Sequence, residues 1–493
     1  MTNKLKHYKQ MYTTIKRNVT YIVQTFNDTD DLVCDDFQFQ KQTGKIIYLD
    51  TLTDEEKLDK MLGKAFQQRK DIACLHTYLA TVAIETTDDL HKVVSQLTKG
   101  SCALFLRDEN KIYLFDTPLE TERSPEEPEN ERTIRGSHLG FVENLRTNIF
   151  FIRQRVKSEQ LRIKYTTLGT ESHRNIAIVY MNNLANKDTV KEIEKRVKSI
   201  TIDSVFAPGF IEECIEEKPL SPFPQNLYTE RPDRVEAHLM EGRIAVMSES
   251  STDAIILPVS FFSFFQSPDD YNNRFYAGTV FRWFRLLSFF GTLLLPPLYI
   301  ALVGFHFEII PFELVSLVKS SIEGVPFPPF FEAIFMAVTV ELIREAGIRL
   351  PSPIGETIGI VGGLIIGDAV VNAGLVSNVM VIVIALTAIM SFTIPSYELG
   401  NTVRILSLPI MISASMLGFA GIVLSFLFIV IHLCKMESFG VAYLSPLAPL
   451  HIRELADAIA RFPIWMLRKR PAELRTQKTE KQGKSREWFY DEQ

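Results

Sequence analysis

The feature that most constrains this chain is a series of uncharged apolar runs between residues 286 and 434. Leu286–Gly304 contains 19 residues without a charge, and Pro409–Cys434 contains 26. About 20 apolar residues suffice to cross the hydrocarbon core of a bilayer as a helix. Because backbone polar groups find no water in lipid, these runs are expected to be helical. The sequence therefore predicts a helical membrane domain, with Val379–Ile394 as a further span.

Composition divides the chain, because the mean hydropathy of +0.07 averages a charged first half with this apolar block. We predict an α/β cytoplasmic N-terminal region of two lobes and an all-α polytopic membrane domain. The predicted divisions are a basic N-terminal segment (1–35), a first α/β lobe (36–118), a linker (119–133), a second α/β lobe (134–260), a helical transmembrane domain (261–450) and a basic cytoplasmic tail (451–493).

Local patterns support the two lobes. Lys45–Asp50 in the first lobe and Asn175–Met181 in the second are β-rich runs that predict strands. Phe141–Val156 and Asp188–Ile200 have the spacing of amphipathic helices. The proline-rich stretch Lys218–Pro232 predicts a loop. The short basic stretch at the N-terminus predicts a solvated segment, although contact with anionic lipid headgroups is an alternative.

Glycine recurs at every fourth position in the apolar segment 355–374. On a helix this spacing places small residues in one stripe, where another backbone can approach closely. An acid at membrane depth is costly and is a functional candidate by default. We therefore predict a tightly packed helix beside a conduction path, with plain helix packing and an acid at headgroup level as the alternative. The pore-lining or helix-packing candidates are Gly355, Gly359, Gly363, Gly367, Asp368 and Asn372.

Charge flanks predict the orientation. Arg282 and Arg285 precede the first apolar run, and nine basic against two acidic residues occur between Arg461 and Arg486. Basic residues collect on the cytoplasmic side, so both the N-terminal half and the tail should lie there. That arrangement requires an even number of crossings. With four spans counted, residues 309–343 should either dip into the membrane and return or cross it twice.

Catalytic and cofactor signatures are absent from the sequence. It has no phosphate-binding loop, no nucleophile elbow and no HExxH motif, which disfavours an enzyme. A net charge of −6 and a pI near 5.9 argue against nucleic-acid binding. The five scattered cysteines predict neither a disulfide nor a metal site. We predict no cofactor and no metal.

Polar residues around the predicted helix at 141–156 form a second candidate set. Arg132, Arg135, Glu143 and Asn148 combine dense polar chemistry with an amphipathic helix and no nearby nucleophile. They predict an interface between lobes or between subunits. A solvated helix start is the alternative, since charge runs are usually solvated.

Several ordered stretches between residues 130 and 450 resemble one known family, the A subunits of spore germinant receptors from endospore-forming bacteria (GerA family). The stretches are ERTIRGSHLGFVENLRTNI (131–149), Arg231-Pro232-Asp233, FFQSPDDYNNRF (264–275), LLLPPLYIAL (293–302), ELIREAGIRLPSPIGE (341–356) and GLVSNVMVIVIALTAI (374–389). Residues 1–120 and the tail resemble the family only in general character.

The resemblance implies a membrane subunit in the spore inner membrane, in complex with a transporter-like B subunit and a lipoprotein C subunit. It further implies nutrient sensing followed by release of monovalent cations, with a homo-oligomer of this subunit forming an ion-conducting pore. A solute carrier that itself moves an amino acid or sugar is the alternative from another class. Such a carrier should show an inverted repeat with paired broken helices, and only one glycine-rich helix is evident. A membrane enzyme is a weaker third possibility.

Overall fold

The fold is described from a computed structural model, which covers residues 9–39, 42–68, 79, 82–107, 109–119, 127–128, 130–351, 354–355, 359, 362–363 and 367–483. The chain divides into two compact units. One unit comprises residues 1–217, 226–258 and 464–493, and the other comprises residues 218–225 and 259–463. The first unit contains two β-sheets with helices, and the second is mainly helical. The predicted fold class, α/β lobes followed by an all-α membrane region, is confirmed.

The first lobe is an antiparallel five-stranded sheet in the order β1-β2-β4-β5-β3. Its elements are α1 (Ile15–Thr25), β1 (Leu32–Phe39), β2 (Gln42–Leu49), α2 (Glu55–Gln68), β3 (Glu85–Thr87), α3 (Leu90–Leu97), β4 (Ser101–Leu106) and β5 (Ile112–Asp116). Phe37, Leu58, Leu104 and Phe115 belong to its buried core. Burying one face of the sheet beneath α2 removes this apolar surface from water and stabilises the lobe.

The second lobe is another antiparallel five-stranded sheet, in the order β6-β7-β9-β10-β8. Its elements are α4 (Leu145–Arg155), β6 (Leu161–Leu168), β7 (Arg174–Met181), α5 (Lys187–Lys198), α6 (Pro208–Ile215), β8 (Leu227–Thr229), α7 (Pro232–Glu241), β9 (Ile244–Ser248) and β10 (Ala254–Leu257). Ile149, Ile178, Leu239 and Val246 are almost fully buried in it.

The two lobes repeat one topology, which the sequence analysis did not detect. In each lobe a helix precedes a β-hairpin, and the last two strands of the lobe form a second hairpin. A glycine with positive φ precedes the first strand of that second hairpin, namely Gly100 (φ 90°) in one lobe and Gly242 (φ 96°) in the other. Glycine suits these turns because it adopts positive φ without steric cost.

The N-terminal segment departs from the expectation of a solvated stretch. Residues 15–25 form α1, and Ile22 and Phe26 are fully buried against the first lobe. Lys16 and Arg17, the basic residues of α1, are exposed, so α1 is amphipathic and its charges alone did not reveal its buried face. In the same region, β1 begins at Leu32.

The helical unit contains two helices that are long and apolar enough to cross a membrane, among the residues the structure describes, and two shorter apolar helices. Its helices are α8 (Pro268–Asn272), α9 (Phe275–Phe305), α10 (Phe312–Ile322), α11 (Pro329–Arg349), α12 (Gly367–Asn372), α13 (Asn378–Phe392), α14 (Tyr397–Leu417), α15 (Phe419–Cys434) and α16 (Leu455–Ala458). The two long apolar helices are α9 and α14. A short hairpin of β11 (Glu437–Ser438) and β12 (Val441–Ala442) follows α15.

The prediction that Pro409–Cys434 is one span is wrong. The run is divided at Gly418, which ends α14 and begins α15 with φ 59° and ψ −136°. That conformation is open to glycine and strained for other residues, so the chain reverses there. The first half of the run therefore completes a helix that starts earlier, at Tyr397, and contains Glu398 and Arg404.

Candidate functional site

Three glycines of the segment have open space beside them among the described residues. A Cβ added to Gly359, Gly363 or Gly367 meets no heavy atom within 4 Å among the described residues. We call these three residues the glycine edge. Asp368 and Asn372 follow it and are exposed. Membrane helices bury such small-residue edges against another helix or leave them beside a polar path.

Two other glycines of the segment, Gly355 and Gly362, face α11. A Cβ on Gly362 would lie 3.1 Å from Cδ1 of Ile343, and one on Gly355 would lie 2.9 Å from the carbonyl oxygen of Gly347. The predicted four-residue stripe is thus not uniform, because Gly355 packs within the chain whereas the glycine edge does not. Periodicity alone could not separate these two environments.

A buried acid organises the helices near this segment. Glu332 on α11 is 1% exposed, and its Oε2 accepts a hydrogen bond of 2.7 Å from the backbone N–H of Ser377. Ser377 caps α13 and lies 3.3 Å from the hydroxyl of Tyr299 on α9. A carboxylate is stabilised at the positive end of a helix dipole. Glu332 therefore links α9, α11 and α13.

The start of α9 is fixed by a buried ion cluster. Asp270 is fully buried and lies 3.2 Å from Nη2 of Arg282 and 2.7 Å from Nη1 of Arg285. Asp457 adds a contact of 3.3 Å to Arg282. The sequence analysis reads these two arginines as a basic flank that marks the cytoplasmic end of the first apolar run, and that orientation stays a prediction. The structure adds that their guanidinium groups are neutralised inside the protein, because Asp270 of the FFQSPDDYNNRF stretch reaches them.

A second buried ion pair joins the two lobes. Arg153 on α4 donates from Nε and Nη2 to the two carboxylate oxygens of Asp31, at 2.9 and 2.8 Å. Burial alone would raise the pKa of Asp31, but the guanidinium of Arg153 and hydrogen bonds from Thr29 and Thr51 outweigh it. The pKa of Asp31 consequently lies below its ordinary value. Nothing in the sequence marks this pair, since its members are 122 residues apart.

Between the lobes lies an open cleft of 1340 Å³ with an acidic lining. Glu143 lines it, together with Asp50, Glu55 and Arg146. Arg146 contacts both Asp50 and Glu55, which adds an exposed salt bridge between lobes. Of the four residues predicted to serve an interface, Glu143 thus lies beside one.

The other three predicted interface residues occupy two environments. Asn148 is fully buried, where its Oδ1 accepts from the backbone N–H of Val142 at 2.8 Å and its Nδ2 donates to the Val142 carbonyl. It therefore fixes the backbone that leads into α4 inside the second lobe. Arg132 and Arg135 are exposed. Their role at a surface remains a prediction.

The Arg231-Pro232-Asp233 stretch positions the segment that contains those two arginines. Arg231 is fully buried and donates to the carbonyl oxygens of Glu131 (3.1 Å) and Ser137 (2.8 Å). Asp233 accepts from its Nε at 3.0 Å. A buried guanidinium that is paired and hydrogen-bonded in this way fixes an irregular segment which has no sheet of its own. Sequence reasoning noted the stretch but gave it no structural role.

Comparisons with known proteins agree over most of the chain. A profile of the Bacillus/Clostridium GerA spore germination protein family matches residues 20–473. Spore germination protein B1 of Bacillus subtilis is 38% identical over 94% of this chain and 97% of its own length. An uncharacterized membrane protein, YfkQ, of the same organism is 36% identical over 93% of this chain and 90% of its own length.

A solved structure also matches part of the chain. It is the crystal structure of the N-terminal domain of the A subunit of the Bacillus megaterium spore germinant receptor GerK3, with 23% identity and a TM-score of 0.41. The match covers 52% of this chain and 99% of that one.

Proposed function

This chain belongs to the Bacillus/Clostridium GerA spore germination protein family, and we propose that it is the membrane subunit of a nutrient-sensing germinant receptor which forms a cation channel as an oligomer. In this proposal the subunit is not an enzyme. A transporter-like B subunit and a lipoprotein C subunit complete the receptor in the inner membrane of the spore. Nutrient binding by the complex opens the channel, and the released cations start germination.

The open glycine edge carries the channel proposal. The edge belongs to an apolar segment and meets no described residue of its own chain, so a single copy leaves close-packing surface unused. A ring of copies would cover such a surface and bring one Asp368 from each copy to the same level. Rings of acidic side chains favour cations in a channel. The exposed position of Asp368 suits that role.

The packing of the C-terminal tail supports placing it on the same side as the lobes. Gln477 donates from Nε2 to the carbonyl oxygen of Ala185 at 2.7 Å, and Arg470 donates from Nε to that of Met240 at 2.8 Å. Both acceptors belong to the second lobe. The end of the tail, residues 464–493, therefore belongs to the same compact unit as the lobes. Together with its excess of basic residues, this supports a cytoplasmic location for both.

Potassium release from spores given nutrient tests the channel. Gly363→Leu adds volume to the glycine edge and should slow release strongly, because close membrane interfaces tolerate added volume poorly. Gly304→Leu is the matched control, since Gly304 lies at the end of α9 and also has no described atom within 4 Å of an added Cβ. It should release potassium normally. Immunoblots would confirm equal receptor levels.

Charge at Asp368 is tested separately. Asp368→Asn should slow cation passage and Asp368→Lys should nearly stop it, because a positive ring repels cations. Glu313→Lys makes the same change at an exposed acid on α10 and should have little effect. Normal release from both Gly363→Leu and Asp368→Lys at normal receptor level would refute the pore assignment. Saturable nutrient uptake by the purified subunit would instead favour the solute-carrier alternative.

A further inference from the structure

Two arginines meet between apolar helices at one end of the helical unit. Arg344 lies on α11 and Arg404 on α14, and their side chains are 14% and 19% exposed. Arg404 is the eighth residue of its helix, which places it about 10 Å along the axis from the helix start. Charged groups at such a depth in membrane helices mark functional sites.

Contacts within the chain use only part of the hydrogen-bonding capacity of these arginines. Arg344 donates to Glu341 and, at 3.4 Å, to Oδ1 of Asn401. Arg404 donates to the same Asn401 oxygen, and its Nε lies 3.6 Å from Glu341. Two guanidinium groups carry ten N–H donors. Glu341 and Asn401 supply three acceptor oxygens, so donors exceed acceptors at this place.

The local charge is also positive. Glu341 is the one carboxylate that contacts the two arginines among the described residues. The neighbouring Glu345 is occupied by Arg349, at 2.7 Å on the same helix. Among the described residues, the two arginines therefore carry one positive charge more than the carboxylate that they contact, in a region bounded by apolar helices, where an uncompensated charge is expensive.

A cavity of 390 Å³ adjoins the arginines. Its polar end is formed by Glu341, Arg344, Glu345, Asn401 and Arg404, and the remaining wall is mostly apolar and comes from α9, α11, α13 and α14. At its rim, Val338 is 49% exposed and Ile405 is 61% exposed. Exposed apolar side chains of a membrane helix face acyl chains, so the cavity opens toward lipid.

The level of the cavity matches the end of the bundle where the chain reaches water. Thr402, two residues before the arginine on α14, donates to the carbonyl oxygen of Pro222 at 2.5 Å. Ser221 of the same segment lies 2.7 Å from Nε2 of His432, at the end of α15. The cavity is thus near the polar connection at 218–225, at the depth of lipid headgroups.

From this arrangement we propose that the cavity binds the headgroup phosphate of an anionic phospholipid. The two guanidinium groups hold the phosphate through charge-assisted hydrogen bonds, because their planar donors match phosphate oxygens. The acyl chains leave through the rim past Val338 and Ile405 and lie on the surface of α11 and α14. Basic pockets between membrane helices are suited to such headgroups. The bound lipid supplies the missing negative charge and bridges the two helices.

Native mass spectrometry of the full-length protein, titrated with phosphatidylglycerol or phosphatidylcholine, tests this site. The unmodified protein should retain phosphatidylglycerol in preference to phosphatidylcholine. Each basic residue near an anionic lipid changes binding about five-fold, so Arg344→Gln/Arg404→Gln should reduce the phosphatidylglycerol preference about twenty-five-fold. Lys319→Gln removes a positive charge from α10 at a 66% exposed side chain that does not line the cavity, and it should change the preference less than two-fold.

Ile405→Trp provides a test that keeps both arginines. The larger side chain should block the rim and lower phosphatidylglycerol retention, while circular dichroism confirms the fold. The proposal is overturned if the unmodified protein retains both lipids equally, if Lys319→Gln loses as much preference as the double variant, or if folded Ile405→Trp retains phosphatidylglycerol normally. If the double variant does not fold, the Ile405→Trp result decides. Loss of lipid whenever the chain oligomerises would show that a second copy occupies the cavity and would also overturn the proposal.

Discussion

The two lobes share a strand order yet differ at the position that joins them. α1 and α4 each have 11 residues, and each contains a buried asparagine at its fourth position, Asn18 and Asn148. At the ninth position the first lobe has Val23 and the second has Arg153. Val23 is half-buried in its own lobe, whereas Arg153 reaches Asp31 of the other lobe. One scaffold thus serves both lobes, and at this position it is the helix of the second lobe that reaches the other lobe.

The asparagines show how closely the scaffold repeats. Oδ1 of Asn18 accepts from the backbone N–H of Tyr12 at 2.7 Å, and its Nδ2 donates to the Tyr12 carbonyl at 2.9 Å. Asn148 makes the same pair of bonds to Val142, also six residues earlier. Each asparagine satisfies a backbone donor and acceptor that would otherwise be buried without partners. The repeat therefore extends from topology to individual hydrogen bonds.

The largest effect is expected from Arg153→Met, which should loosen the connection while leaving each lobe folded. Removing one partner of a buried pair leaves Asp31 uncompensated, which costs about 3–5 kcal/mol. Hydrogen exchange of the full-length protein should show faster exchange at β1 and β6. Arg155→Met on the same helix removes a partly exposed arginine and should cost about 1 kcal/mol or less. If Arg153→Met and Arg155→Met raised exchange at β1 and β6 equally, the buried pair of Arg153 with Asp31 would not be what distinguishes α4 from α1.

Asn18→Ala and Asn148→Ala should have the next largest effect and should resemble each other. Each change strands a buried backbone N–H and C=O, at about 1–3 kcal/mol for each such group. Exchange should rise at the helix of the altered lobe, α1 or α4, and remain normal in the other lobe. A clear effect from only one of the two variants would show that the repeated hydrogen bonds do not have equal weight.

Lowering the pH should weaken the connection between the two lobes by a smaller amount than these substitutions do. The pKa of Asp31 is lower in the folded protein than its ordinary value, so its contribution is present above about pH 4, the value for an unfolded chain. That contribution should be lost as pH falls from about 4 through the lowered folded pKa. Exchange at β1 and β6 over this range should report the loss. Asp31→Asn should lack this component, and an unchanged acid response in that variant would contradict the assignment.

The smallest effect is expected at the exposed link between the lobes. Arg146 is 45% exposed where it contacts Asp50 and Glu55. Arg146→Gln should therefore lower the stability of the connection by about 1 kcal/mol or less, and salt should screen what remains. The same exchange experiment measures this loss. If Arg146→Gln lost as much stability as Arg153→Met, burial would not explain the relative strengths of the exposed Arg146 link and the buried Arg153 link.

Local patterns predicted many elements well. The strand predicted at Asn175–Met181 is β7, and the helix predicted at Asp188–Ile200 is α5. These elements have clear periodicity, which depends only on neighbouring residues. Shorter elements such as β3 and β8 were missed because three residues carry too little pattern. The repeat of the lobes was also missed, since the two copies share strand order and hydrogen bonds rather than evident sequence similarity.

At the candidate site, the sequence identified the glycine segment, and the resemblance suggested its role. It could not tell that Gly355 faces the backbone of α11 while Gly363 faces open space, because both have the same spacing. Nor could it locate the cavity beside Arg344 and Arg404, which lie on different helices. Spacing along a helix defines a face but not what covers that face.

The sequence by itself determined the apolar, helical character of the helical unit, the α/β class of the lobes and the family of the chain. The length of an uncharged run and the periodicity of apolar residues depend only on neighbouring residues, so they can be determined without knowledge of the fold. Only the tertiary structure decided the pairing of Arg153 with Asp31, the burial of Arg282 by Asp270 and the break at Gly418. Whether a charge is neutralised, or a glycine adopts positive φ, depends on groups that folding brings together from distant parts of the chain.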